Sequence, residues 1–115
     1  MKNREVAEQF LNGYEVKGSN LFSEKNNGKK VLFSWGYHFP LCVMLEDGKK
    51  LFNEEGYSQS TKVHRTYLAW GLGFYDWRDM VEKDKTLILL SSDELNKIIR
   101  DETINSEADF LARNL

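Results

Sequence analysis

His38, His64 and Cys42 are the only imidazoles and the only thiol in this chain of 115 residues. Together they would supply metal ligands, or a nucleophile and its base. Their spacing argues for neither. His38 and Cys42 stand four apart across a glycine-flanked turn and the start of a strand, not on one helix face, and no carboxylate is placed by sequence to orient either ring. One cysteine makes no internal disulfide and no cysteine-rich zinc site. Cys42 lies between Leu41 and Val43, the setting of a small buried hydrophobe. The expectation is therefore structural histidines, no catalytic residue, no metal and no cofactor.

Three other groupings carry possible chemistry. Ser58, Ser60 and Thr61 gather hydroxyls at a helix start, with Lys62 and Arg65 one turn on. Free N–H groups there can hold a phosphate, but hydroxyls at that position are also ordinary helix caps, which is the reading preferred. Lys25, Lys29, Lys30, Lys49 and Lys50 flank two tight turns, close in sequence to Trp35, Tyr37 and Phe39. A nucleic-acid surface built from Lys29, Lys30, Lys49, Lys50, Tyr37, Lys62 and Arg65 would combine phosphate contacts with stacking. Against it, turn lysines also protect sheet edges, and Glu24, Glu46 and Asp47 lie beside these. Finally, Trp70 to Trp77 reads WGLGFYDW. Aromatics on an adaptable loop dominate protein–protein contacts, so Trp70, Phe74, Tyr75 and Trp77, with Asp76 and Asp79, form the candidate partner-binding site.

The elements that must position these residues follow from patterning. Asn3 is expected to cap a first helix with Val6, Phe10 and Leu11 as its apolar stripe and Gly13 as its stop. Strands are expected over 20–24 and 31–35, joined at Asn26-Asn27-Gly28, with Val31, Phe33 and Trp35 on one face and Leu32 and Ser34 on the other. Pro40 begins a third strand, with Leu41, Val43 and Leu45 on one side and Cys42 and Met44 on the other. Both sides are apolar, so it should be covered on each face. The turn at 46–49 leads into a fourth strand over 50–53.

Ser60 is expected to cap a helix over about 61–70 that packs Val63, Tyr67 and Trp70 on the sheet. Residues 74–85 read as a loop with a helical turn, and 86–90 as one more buried strand. Ser91 and Glu94 form a capping box before Leu95, Ile98 and Ile99, and a last helix starts near Ser106 with Phe110, Leu111 and Leu115 apolar. The fold class is α+β: an antiparallel β-meander of four to five strands with an N-terminal helix, a central helix and C-terminal helices. It forms one domain over 1–115, with a meander-and-helix unit over 1–73 and a helical extension over 74–115.

Composition narrows the function classes. A net charge of -2 argues against a protein that coats nucleic acid nonspecifically. Residues 1–75 hold ten Lys/Arg against eight Asp/Glu, whereas 76–115 hold six against ten, so the C-terminal third is acidic. A charged, amphipathic N-terminus and apolar runs no longer than Leu41 to Leu45 and Leu87 to Leu90 point to a soluble protein of the cytoplasm, in a reducing compartment.

Trp35-Gly36-Tyr37-His38-Phe39-Pro40-Leu41 and Tyr57-Ser58-Gln59-Ser60-Thr61-Lys62-Val63-His64, with Phe10 to Gly13 and Gly18 to Leu21, resemble segments of a group of small phage and mobile-element proteins of unknown function. The likeness covers roughly residues 6 to 68, and everything after Gly73 lies outside it. The resemblance implies a genomic setting rather than a reaction. By analogy of setting, the leading expectation is a non-enzymatic accessory protein that occupies a host protein, in concrete form an inhibitor of a host defence nuclease in the manner of anti-CRISPR proteins. The aromatic loop would anchor it while the acidic C-terminal third covers a basic nucleic-acid channel. The alternatives are the nucleic-acid-binding module described above and an enzyme built on His38 and His64, for which no substrate class follows.

Overall fold

A computed structural model describes residues 1–37, 39–56 and 58–114, the side chain of Asn114 excepted. His38, Tyr57 and Leu115, which carry part of the sequence argument, lie outside the described residues. The element order is α1 (Asn3–Leu11), β1 (Leu21–Asn26), β2 (Lys29–Ser34), β3 (Pro40–Met44), β4 (Lys50–Asn53), α2 (Gln59–Gly71), α3 (Trp77–Lys83), β5 (Ile88–Leu90), α4 (Ser92–Arg100) and α5 (Glu107–Asn114). The strands form one sheet in chain order, β1 to β5. The protein is α+β, and its first four strands are the expected antiparallel meander.

The first hairpin turns at Asn27 (φ 49°) and Gly28 (φ 83°). Positive φ at both central residues is the backbone that matches the twist of paired strands. The sheet is the middle of three layers. Leu32, Cys42 and Phe52 pack with Val6, Phe10 and Leu68 on the α1 and α2 face. Val31, Val43 and Leu51 pack with Leu95, Ile98 and Phe110 on the α4 and α5 face. Two buried faces explain why the strands read as continuous apolar runs.

Several local expectations change. Asn3 does not cap α1; the cap position is Lys2, without a side-chain bond, and Asn3 Nδ2 donates instead to Asn20 Oδ1 at 2.5 Å. Trp35 leaves β2 with φ 71° and is exposed, because the chain reverses at once: Phe39 N–H donates to Gly36 O and Ser34 N–H to Phe39 O. The register jumps from Leu32↔Cys42 to Phe33↔Pro40. Leu41 is thus the extra residue of a bulge and packs with Cys42 on the α1 and α2 face, away from Val43 and Leu45.

Ser58, not Ser60, caps α2, its hydroxyl accepting from Thr61 N–H. The face α2 buries is Thr61, His64, Leu68 and Ala69, and Val63 and Trp70 point outward. Residues 77–83 form a full helix rather than a single turn, capped by Asp76, with Met80 buried. β5 runs parallel to β4, which the crossover through α2 and α3 requires, and at the sheet edge it is half-buried. The capping box of α4 forms, and Leu95, Ile98 and Ile99 are buried. In α5 Phe110 is buried but Leu111 is exposed. Residues 74–115 thus supply a strand and one whole face of the same domain.

Candidate protein-docking site

The most polar part of the interior joins α2 to β2. Ser34 Oγ lies 2.8 Å from His64 Nδ1 and 3.2 Å from Thr61 Oγ1. Thr61 Oγ1 is in turn 3.1 Å from Ser58 Oγ. Ser34, Thr61 and His64 are all buried. Burial pushes the His64 imidazole below its ordinary pKa. A serine beside a histidine is the start of a nucleophile–base pair, but none of the cavities described below reaches Ser34 or His64. The chain of bonds satisfies buried polar groups and fixes α2 on the sheet. It also accounts for the hydroxyl cluster, since Ser58 and Thr61 are used internally.

Cys42 is fully buried, and burial pushes its thiol far above the ordinary range. Among the described residues no group of three His, Cys, Asp or Glu side chains is arranged to hold a metal ion. No described helix is long and apolar enough to cross a membrane.

An open cleft of about 560 Å³ is lined by Arg4, Thr66, Trp70, Phe74, Tyr75 and Asp76. The α2 C-terminus supplies Trp70, 42% exposed, and the loop beyond it supplies Tyr75, 82% exposed. That loop is not slack. Trp70 Nε1–H donates to Tyr75 O at 2.6 Å, and Tyr75 N–H donates to Asp79 Oδ2 at 2.9 Å. Asp79 is itself fixed, its N–H donating to the Asp76 cap at 2.8 Å and its Oδ1 lying 2.8 Å from Lys83 Nζ. These bonds hold the Asp79 carboxyl below its ordinary pKa, the Lys83 contact counting most. From α1, the Arg4 guanidinium stacks on the Trp70 ring at 4.8 Å and pairs with Glu8 at 3.5 Å.

The six residues named for this site from sequence therefore divide. Trp70 and Tyr75 present rings to solvent, and Asp76 and Asp79 hold the loop. Phe74 and Trp77 are half-buried and pack against the α1 and α2 core. Trp77 meets Phe52 edge-on at 5.9 Å and carries the Arg65 guanidinium at 4.6 Å, so neither Phe74 nor Trp77 is a free anchor. Arg4 and Thr66 were missed. The only local signal for Arg4 is its i,i+4 pairing with Glu8, which says nothing of a tryptophan 66 positions away.

The nucleic-acid set is dispersed. Lys29 is fully buried, a correction with a clear cause: Nζ donates to Asp101 O at 2.7 Å and to Asn27 O at 3.3 Å, tying the first hairpin to the end of α4. Lys49 donates to Thr86 O and lies 3.7 Å from Glu107. Tyr37, 62% exposed, packs on Phe22 and Phe33 and donates to Glu24 at 2.6 Å, on the sheet face opposite Lys30 and Lys50. Arg65 is held over Trp77, and Lys62 is exposed on α2. Comparison of the chain with protein families, with curated proteins and with solved structures finds no match in any of the three.

Proposed function

We propose that this chain is a non-enzymatic binding protein that docks another protein on the cleft between α1 and the α2–α3 loop, with Tyr75 as its anchor. The observation that carries the reading is Tyr75 itself: an 82%-exposed ring on a backbone fixed through both its N–H and its C=O. Binding loses most where loops and side chains must be ordered on contact, so an aromatic presented by a pre-fixed backbone gives contact area at low entropic cost. Trp70 and the stacked Arg4 are the residue types that recur beside such anchors. The likeness of the 35–41 and 57–64 segments to phage and mobile-element proteins makes a host protein the partner class, and a host defence nuclease the first to try.

The test is capture from a lysate of the cells that carry the sequence, with and without nuclease, using the wild type and Tyr75→Ala. Expected is a protein partner that survives nuclease and is held about thirtyfold more weakly by Tyr75→Ala, at an unchanged melting temperature. A partner held equally by both forms, or one lost with nuclease, overturns the reading. The second outcome favours nucleic-acid binding, whose affinity would fall steeply with salt.

A further inference from the structure

Lys25, Lys30, Met44 and Lys50 are consecutive partners across β1, β2, β3 and β4. Paired residues of neighbouring strands point to the same side of a sheet, so three lysines and a methionine form one row on the α1 and α2 face. α1 has ended by then: Gly13, just past its last turn, lines with Lys25, Lys30 and Met44 an open cavity of about 350 Å³. A second, of about 200 Å³, continues the row past Lys50.

The row is poorly compensated. None of the three lysines makes an ion pair among the described residues; Lys50 Nζ donates to Gly48 O. Of the carboxylates on the cavity walls, Glu46 stands at the Gly28 end of the first. Asp84 of the second is engaged with the N–H and hydroxyl of Thr86. Lys25 directly faces Lys30, and like charges directly opposed across strands destabilise a sheet.

We propose that this row is a second docking surface, independent of the Tyr75 cleft, for an extended acidic segment of a partner protein. Three inter-strand steps separate Lys25 from Lys50, about 14 Å. Alternate side chains of an extended peptide recur about every 6.7 Å, so carboxylates at i and i+4 span about the same distance. The apolar floor at Met44 suits an intervening apolar side chain. A nucleic-acid strand fits less well: the row contains no aromatic ring on which bases would stack.

The experiment is fluorescence anisotropy with three labelled probes at low and physiological salt. These are a nine-residue peptide alternating Glu and Leu, its Lys/Leu counterpart, and a 20-nucleotide oligothymidine. Wild type should bind the Glu/Leu peptide, more weakly with added salt, and in preference to the other two. Lys25→Glu should weaken that binding about tenfold while raising the melting temperature, because it replaces a repulsive cross-strand pair by an attractive one. Lys50→Ala, which leaves that pair alone, should weaken binding without the thermal gain, and Tyr75→Ala should bind the peptide normally. Tighter binding of oligothymidine, equal binding by the lysine variants, or no binding of the acidic peptide overturns the proposal.

Discussion

Lys29 is the position where the structure departs furthest from its sequence reading, and its replacement by methionine gives a sharp test. Methionine keeps an apolar stem but removes the ammonium that bonds Asp101 O at 2.7 Å. That carbonyl and Ile99 O, which accepts from Asn27 Nδ2 at 3.0 Å, belong to the end of α4, where carbonyls lack helical partners and a cation is favoured. A hydrogen bond from a charged group contributes about 1.5–3 kcal/mol. Against this stands the burial of the amine, which lowers the Lys29 pKa despite Asp101, Glu46 and Glu102 nearby. The net loss in Lys29→Met should be about 2 kcal/mol. At about 2.1 cal/mol/K of unfolding entropy per residue, that lowers the melting temperature of a chain this size by roughly 8 °C. Lys29→Glu would face an acceptor carbonyl with an acceptor and add charge beside three carboxylates, so a loss of about 3–5 kcal/mol is expected. Thermal and urea unfolding followed by circular dichroism measure both. A Lys29→Met protein melting within about 2 °C of wild type would refute the role of Lys29 as the pin of α4.

Two further predictions concern the α1 and α2 layer. The His64 pKa is lowered by burial, so the unfolded chain takes up this proton first as pH falls. Stability should be level above neutrality and decline as pH drops below 6.5, by up to about 1.4 kcal/mol per unit. His64→Asn, which keeps an acceptor near Nδ1, should be less stable at pH 7 but lose that slope between pH 6.5 and 5; an unchanged slope would exonerate His64. At Gly18 an added Cβ would sit 2.5 Å from Asn3 Oδ1, 3.0 Å from Val6 Cγ2 and 3.2 Å from the Leu21 carbonyl oxygen. Because Val6 is core and Leu21 O is backbone, Gly18→Ala should cost about 1–3 kcal/mol in urea unfolding, and a neutral result would show that α1 can shift away from β1.

What was legible in the sequence is what short-range physics decides. The Asn27-Gly28 turn, the two-faced third strand and the Ser91–Glu94 capping box each depend on residues a few positions apart. The failures needed partners far along the chain. Lys29 and Lys30 are neighbours in one strand, so their side chains leave by opposite faces. One meets the end of α4 and is buried, while the other meets the open space below α1, and nothing local distinguishes them. Tyr67 packs against the core as expected, but the rest of the α2 face was misjudged because Val63 and Trp70 are more hydrophobic than Thr61 and His64. A hydrophobic pattern cannot register that Ser34 waits beneath to complete the polar bonds.

The aromatics of 70–77 divide by the same logic, and the division explains how the cleft holds its shape. Trp77 meets Phe52 edge-on and carries Arg65, fixing the start of α3 on the sheet. From there Asp76 caps the helix, orienting Asp79 to receive Tyr75 N–H, while Trp70 closes the loop from the α2 side. Every aromatic in the stretch but Tyr75 is thus spent on structure in whole or part. Changes at Trp77 or Asp79 should then disturb docking indirectly, by freeing the loop. Only Tyr75, whose ring supports none of these bonds, can be truncated to separate contact from presentation.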